Sequence, residues 1–250
     1  MLVYSHKVLL ISFSLLLPSA ILAQQPEEIS IAILYFENNS IVDREQLEPL
    51  SKGLADMLIT EISQISAFKV VERQRLQNLM EEMRLGLTGA VDANTAQELG
   101  KLIGAQTLLL GGFINMFGGK MRIDVRIVEV ETGVTLRAEE ETGKVDDLFK
   151  MTKKLTEKIA KFFDVKLTRD DKKRLKEFKG SDNFEATLYY SEGLDAEDVG
   201  RRHAKEGNKK DALLMFENAI GLYQLALIKS PDFKELYDRI NSVRVLMSRI

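Results

Sequence analysis

The stretch from Lys69 to Gly111 has the clearest pattern of apolar and polar positions, and it predicts a strand, two helices and a second strand. The β-branched run Lys69–Val71 is typical of a strand. Apolar residues then recur at steps of three and four, which indicates the buried face of a helix. That face consists of Leu76, Leu79, Met80 and Met83. Gly86 and Gly89 follow, and Gly86 is well placed to end the helix.

The second half of this stretch predicts another helix and a buried strand. Asp92 is a candidate cap for the helix, and Gly104 ends it. Thr107–Leu110 is apolar without alternation, as expected of a strand that is covered on both faces. The apolar face of the helix is formed by Ala96, Leu99 and Ile103.

The residues before this stretch predict one more strand and one more helix. Both faces of Ile29–Phe36 are mostly apolar, which favours a central strand. A helix begins between Arg44 and Ser51, with Asp43 as a candidate cap and Pro49 in the first turn. Its apolar stripe is Leu50, Leu54, Leu58, Ile62 and Ile65.

After Gly112 the pattern predicts an antiparallel meander of three strands. Gly118–Gly119 is a hairpin turn, and the following strand alternates apolar residues with Arg122, Asp124 and Arg126. A helix then begins at Asp146. The elements together predict an α/β fold, a mixed β-sheet flanked by helices. We place this domain at residues 27–165, between a signal peptide at residues 1–23 and a small all-α domain at residues 168–250.

The C-terminal part is predicted to be helical from Asn183 onward. Its end resembles the second helix of a tetratricopeptide repeat through Ala219, Tyr223, Ala226 and Pro231–Phe233. Gly207 stands where the motif has a small residue of its first helix. His203 and Lys210, however, stand where that motif has large apolar residues. One degenerate repeat cannot bury its own face. We therefore expect a short helical cap closed by Ile240, Val243 and Leu246, or a surface for a partner.

The order and spacing of several short motifs resemble the CsgG family, which holds the curli production assembly/transport component and its relatives. The resemblance covers about residues 29–163. It implies a fold similar to the CsgG periplasmic domain and to the N-terminal domain of TolB. It also implies protein partners in the cell envelope, and a homo-oligomer, because that family forms rings. The motifs are Ile31–Phe36, Val70–Arg73, Leu76, Leu79, Glu82, Ala96, Leu99–Lys101, Gly104–Ala105, Gly111 and Arg126–Gly133.

The N-terminus predicts export. Lys7 precedes an apolar run, Val8–Leu17, that is of signal-peptide length and too short to span a bilayer. We predict cleavage between Ala23 and Gln24; the alternative is an uncleaved anchor. No later segment is predicted to be apolar enough for a transmembrane helix. These features predict a periplasmic protein.

Composition excludes several classes of protein. The chain of 250 residues has a net charge of −3, which gives no basis for general nucleic-acid binding. It has no cysteine, so disulfides, thiolate metal sites, a cysteine nucleophile and a lipid-modified cysteine are excluded. The curli transporter carries such a lipid and extends two membrane-crossing hairpins. The short connections around Gly118–Gly119 leave no room for such hairpins, so we predict no pore.

No motif marks a catalytic residue, and we predict a non-enzymatic protein without cofactor or metal. His203 has no neighbouring motif and is predicted to be a surface histidine. Glu72 and Arg73 form the most notable polar pair, at a strand-to-helix junction. They are predicted either to fix that turn through a cap and an ion pair or to contact another subunit. An enzyme with an unmarked carboxylate site is a third hypothesis.

Residues 150–179 contain twelve basic and five acidic residues. This segment is predicted to be a solvated surface; the alternative is a basic patch for anionic lipid or cell-wall polymer, which limits membrane contact to a peripheral one. The leading prediction is a protein that binds other envelope proteins during outer-membrane or surface-structure assembly or export. The alternative is a ring that forms the periplasmic vestibule of a curli-like secretion channel.

Overall fold

A computed structural model describes residues 28–83 and 93–250, and its centre is a six-stranded mixed sheet. The strand order is β3-β1-β4-β5-β6, and the short β2 pairs with β4. β1, β2, β3 and β4 run parallel where they pair, whereas β4, β5 and β6 are antiparallel. The mixed sheet and the three-stranded meander were both predicted, and both are confirmed. The strands are β1 (Ile29–Ile33), β2 (Glu37–Asn38), β3 (Phe68–Val70), β4 (Thr107–Met116), β5 (Lys120–Glu129) and β6 (Thr135–Lys144).

Nine α-helices lie within the described residues. Five accompany the sheet: α1 (Arg44–Leu47), α2 (Leu50–Ile62), α3 (Arg73–Glu82), α4 (Ala93–Ile103) and α5 (Leu148–Phe162). Four follow it: α6 (Arg169–Glu177), α7 (Phe184–Lys205), α8 (Lys209–Lys229) and α9 (Glu235–Met247). The predicted helical C-terminal region is therefore confirmed.

The helices cover the two faces of the sheet unequally. Met151 of α5 packs against Gly143 of β6, whereas Gly100 of α4 packs against Leu108 of β4. Side chains alternate along a strand, and the strand registers place Gly143 and Leu108 on opposite faces. α2 and α5 therefore cover one face, and α4 covers the start of β4 on the other.

The first strand is shorter than predicted. β1 ends at Ile33; the Leu34 amide still donates to the Leu109 carbonyl of β4, and the Phe36 amide then donates off the strand path to the carbonyl of Ser51. Leu34, Tyr35 and Phe36 remain buried in the core, which explains why the run is apolar on both faces. Asp43 does precede α1, but its side chain makes no capping hydrogen bond. The predicted helix-end residues Gly86, Gly89 and Asp92 lie outside the described residues.

The helical region is built on an antiparallel pair, α7 and α8. Gly193 and Gly200 of α7 lie directly against the rings of Tyr223 and Phe216 of α8, so a larger side chain would not fit at either position. Gly207 lies in the turn between these helices with φ +80°, not inside a helix, so the predicted tetratricopeptide register is wrong there. The buried face of α8 includes the predicted residues Ala219, Tyr223 and Ala226, and Ile240 and Val243 of α9 are buried as expected.

α8 is also the one helix among the described residues that is long and apolar enough to cross a membrane, with a mean hydropathy of 1.2. The prediction that no segment after residue 23 reaches this composition is therefore wrong. Length and composition alone are weak evidence for a membrane span.

α6 contacts the sheet region rather than the helical pair. The Asp171 carboxylate accepts from the Ser66 amide at 3.0 Å, and Arg174 donates to the Gln64 carbonyl at 2.9 Å. α6 is capped by Thr168 and Asp171 in a reciprocal capping box. The predicted boundary at residues 165–168 thus falls just before a helix that is anchored on the loop between α2 and β3.

Candidate functional site

A buried cluster of charged side chains joins the sheet region to the helical region. We call it the charged seam and define it as Lys52 and Asp56 of α2, Arg73 of α3, Glu197 and Asp198 of α7, and Arg239 of α9. All but Arg239 are at most 8% exposed. Charges so deeply buried are stable only when they are paired and hydrogen-bonded.

Arg73 occupies the centre of the seam. Its Nη1 lies 2.6 Å from Asp198 Oδ2 and 2.8 Å from Asp198 Oδ1, and its Nε lies 3.1 Å from Asp56 Oδ1. Burial alone lowers the pKa of an arginine, but the Asp198 and Asp56 charges outweigh burial and raise the pKa of Arg73. One side chain thus holds carboxylates from α2 and α7 together.

Asp56 is bound from three helices. Besides Arg73, it accepts hydrogen bonds from Arg239 Nη2 at 2.9 Å and from the Tyr190 hydroxyl. Burial favours the neutral acid, but the charges of Arg239 and Arg73 and the Tyr190 hydroxyl hold the pKa of Asp56 below its usual value. Asp56 therefore stays ionised and fastens α2 to α3, α7 and α9.

Lys52 and Glu197 complete the seam at its two ends. Lys52 Nζ lies 2.5 Å from Asp195 Oδ1 and 3.2 Å from Asp198 Oδ2, and it stands 5.6 Å from the centre of the Tyr35 ring. Glu197 accepts from Arg201 Nη2 at 2.7 Å and from the Tyr223 hydroxyl at 2.9 Å, and Arg239 Nη1 lies 3.5 Å away. Burial opposes ionisation, yet Arg239 and Arg201 hold the pKa of Glu197 below its usual value.

The pairing within the seam fixes the positions of the helices that carry it. Each of its charged groups is engaged by an opposite charge from another element or another turn. Within residues 28–83 and 93–250, no group of three or more His, Asp or Glu side chains is placed to hold a metal ion.

Backbone packing brings α2 and α7 close enough for the seam to form. A Cβ at Gly53 would overlap the Ser191 hydroxyl, which donates to the Thr187 carbonyl at 2.8 Å. Gly53 therefore allows the two helices to approach beside Lys52 and Asp56.

We expect Gly53→Ala to separate α2 from α7 and to lower the free energy of unfolding by about 1–3 kcal/mol, the range for overpacking a buried site. Gly221→Ala on α8 is the matched control, because nothing lies within 4 Å of a Cβ there. Alanine is the better helix former, so this control should gain about 0.5–1 kcal/mol. Urea unfolding measures both variants; equal stability gains would show that α2 and α7 do not depend on this approach.

Of the two residues predicted as a polar pair, Arg73 lies in the charged seam and Glu72 does not. Arg73 reaches a carboxylate on a neighbouring element, as one of the two interpretations of the Glu72–Arg73 pair expected. Glu72 precedes α3, is exposed and makes no capping hydrogen bond through its side chain. A contact of this pair with another subunit stays a prediction. Ala23 and Gln24, the predicted cleavage residues, lie outside the described residues.

The other seam residues were missed. Lys52 and Asp56 lie four residues apart on the face of α2 opposite its apolar stripe, where the pattern predicts solvated side chains, so the sequence carried no signal of their burial. Glu197, Asp198 and Arg239 lie in strongly charged helices, where the pattern does not separate buried charges from solvated ones. In the basic segment 150–179, several side chains pair within the chain; Lys158, for example, lies 2.8 Å from Glu141.

Comparison with known proteins gives one family. The model of that family, described as curli production assembly/transport component CsgG, matches residues 18–118. Residues 18–118 are CsgG-like. The matched region contains Lys52, Asp56 and Arg73 of the seam and ends at the β4–β5 turn, so it includes part of the resemblance predicted from the sequence. A search of curated proteins gave no match.

Solved structures with a similar arrangement include a domain of LpoB and a lipoprotein. The C-terminal domain of LpoB from Salmonella enterica is 13% identical, with 49% of this chain and 87% of that chain covered and a TM-score of 0.36. Lipoprotein GNA1162 from Neisseria meningitidis is also 13% identical, with 46% of this chain and 79% of that chain covered and a TM-score of 0.38.

Proposed function

We propose that this chain is a non-enzymatic protein of the cell envelope that binds other proteins during outer-membrane or surface-structure assembly or export. The observation that carries this proposal is the CsgG match over residues 18–118. The description of that family names assembly and transport, which are tasks performed through contacts between proteins.

The geometry of the seam supports a binding role. The seam ties the helical region to α2 and α3, so that a surface on α8 or α9 keeps a defined position relative to the sheet. Pairing of the buried charges within the chain also suits a scaffold better than a reaction centre.

We further propose that the protein is periplasmic, is exported by a signal peptide cut after Ala23, and lacks membrane hairpins. Short connections support the last point: β4 and β5 are joined by Phe117–Gly119, and β5 and β6 by Val130–Val134. The division into domains at residues 27–165 and 168–250 belongs to the same proposal.

The second candidate function, a ring-forming vestibule, is favoured by the position of β6. This ten-residue strand is the last in the sheet order, and a strand edge can pair with another chain. One part of that edge is already engaged, because Lys158 Nζ donates to the Glu140 carbonyl at 2.6 Å. This contact makes edge pairing the less favoured of the two functions.

Two measurements test the proposal, the first on residues 24–250 and the second on the full chain. Light scattering after size exclusion should give a monomer or a small oligomer; a large discrete multiple would favour the ring. A photo-crosslinking residue is then placed at exposed apolar positions of both regions, Ile41, Leu102 and Leu225, in the native host. Discrete adducts with other envelope proteins are expected from at least one position. Absence of adducts from all three, with the protein folded and exported, would contradict a binding role.

A further inference from the structure

A cavity of about 430 Å³ lies beside the seam, between α2, α5, α7 and α9. Much of its wall is aromatic. The rings of Phe149 and Phe178 are 5.2 Å apart between centroids, and those of Tyr190 and Phe233 are also 5.2 Å apart. Aromatic faces attract cations and pack well against methylene groups. The cavity has the size of a site for a small ligand or one long side chain.

The charged groups that line this cavity are predominantly acidic once internal pairing is considered. The two arginines in the wall are already bound: Arg239 to Asp56 and Glu197, and Arg201 to Glu197. The remaining carboxylates are Glu235 and Asp238, both in the first turn of α9. The cavity therefore presents aromatic rings together with two carboxylates that these arginines do not neutralise.

Glu235 carries the most specific signal. Its Oε2 atom is buried and has no hydrogen-bond partner. Burial raises the pKa of this carboxyl, and the backbone amides of Glu235 and Lys179 oppose the shift only in part. A buried oxygen without a partner is costly. Glu235 and Asp238 both line the cavity, so a ligand that carries a positive charge and N–H donors would meet both carboxylates there.

We infer that the cavity binds an alkylammonium group with the length of a lysine side chain. Its methylene chain packs between the aromatic rings and Met57, and its ammonium group lies against the carboxylates of Glu235 and Asp238. This site goes beyond the proposed function, which names neither a ligand nor a binding site. The group comes either from a free diamine or from a lysine side chain of a protein.

Titration calorimetry with residues 24–250 tests the inference. The probes are 1,5-diaminopentane and a lysine blocked at both ends as acetyl and methylamide; pentan-1-ol and pentanoate share the chain but lack the charge or reverse it. Binding by at least one amine and by neither comparator is expected. If only the diamine binds, the ligand is a free amine; if the blocked lysine also binds, a protein side chain is the source.

Three variants test whether the amine binds at the proposed position in the cavity. Glu235→Gln removes the charge but keeps the shape and should weaken amine binding at least about tenfold, as loss of a charge-assisted hydrogen bond does. Asp238→Asn should weaken it several-fold. Glu217→Gln, an exposed carboxylate on α8 away from the cavity, is the matched control and should change nothing. The inference is overturned if neither amine binds at about 10 mM, where even weak sites fill. It also fails if pentan-1-ol binds equally well, or if folded Glu235→Gln binds as tightly as the parent.

Discussion

Replacement of Arg73 by methionine is expected to lower the free energy of unfolding by about 3–5 kcal/mol, the range for breaking a buried ion pair from one side. Methionine fills much of the space but leaves Asp198 without its two contacts at 2.6 and 2.8 Å and removes one partner of Asp56. Both carboxylates would stay in a region where they are at most 3% exposed. Chemical denaturation followed by circular dichroism measures the change.

Arg75→Met is the matched control for this experiment. Arg75 lies two residues further along α3, is exposed, and should tolerate the same substitution within about 0.5 kcal/mol. Adding Asp198→Asn to Arg73→Met should recover part of the loss, because the carboxylate that lost Arg73 and kept only Lys52 at 3.2 Å is then neutral. Equal stability of Arg73→Met and Arg75→Met would show that the seam contributes nothing to the fold.

Replacement of Glu61 by glutamine is expected to abolish most of the decrease in stability between pH 5 and pH 8. Burial between α2 and α5 raises the pKa of Glu61 to about 8, although the hydroxyl oxygens of Thr156 and Thr152 lie 2.8 and 3.0 Å from its carboxyl oxygens and oppose the shift. The folded protein thus holds a proton that the unfolded chain, with a carboxyl pKa of 4.5, has already lost. Stability from this group is present below pH 4.5 and is lost as the pH rises to about 8.

The hydrogen bonds around Glu61 fit the neutral acid. Thr152 has one hydroxyl proton, and its Oγ1 lies 3.0 Å from both the Phe149 carbonyl and Glu61 Oε1. If that proton goes to the carbonyl, the protonated Glu61 donates to Thr152 and accepts from Thr156. Glutamine reproduces this arrangement, with its amide NH₂ group as the donor.

The expected gain for Glu61→Gln is of the order of 4 kcal/mol at pH 8.5 and near zero at pH 4.5, since one pKa unit corresponds to 1.36 kcal/mol. Urea unfolding at several pH values measures it. Lys153 and Glu157 of α5 also act on Glu61, with opposite signs, and both remain in the variant. Glu217→Gln should keep the pH dependence of the parent. A variant curve parallel to that of the parent would mean that Glu61 is ionised in the folded protein at neutral pH.

The strands and helices of the sheet region could largely be predicted from the local pattern of apolar and polar residues. The stripe of α2, the alternation in β5 and the glycines at positions 118 and 119 each have one physical interpretation, and the structure agrees with it. The prediction from local pattern was wrong where a contact between residues distant in the sequence determined the structure. The apolar run Ile29–Phe36 contains a break after Ile33, and its last residues are apolar because they enter the core rather than because they pair as a strand.

The seam was only partly predictable for a similar reason. Arg73 was identified because it follows a strand and begins a helix, which is a local feature. Its partner Asp198 is one of several acidic residues in α7, and only the three-dimensional packing determines which of them faces α2. Spacing along a helix gives the face of a residue but not the element that covers it.

The ion pairs of the seam also bear on the order of folding. Arg73 and Asp198 are 125 residues apart in the sequence, and Asp56 and Arg239 are 183 apart. Ribosomes make α2 and α3 long before α7 and α9, so Asp56 and Arg73 remain hydrated while most of the chain is synthesised. Contacts between such distant residues close long loops and slow folding. We therefore expect the helical region to attach late, with a hydrated surface on α2 until that step.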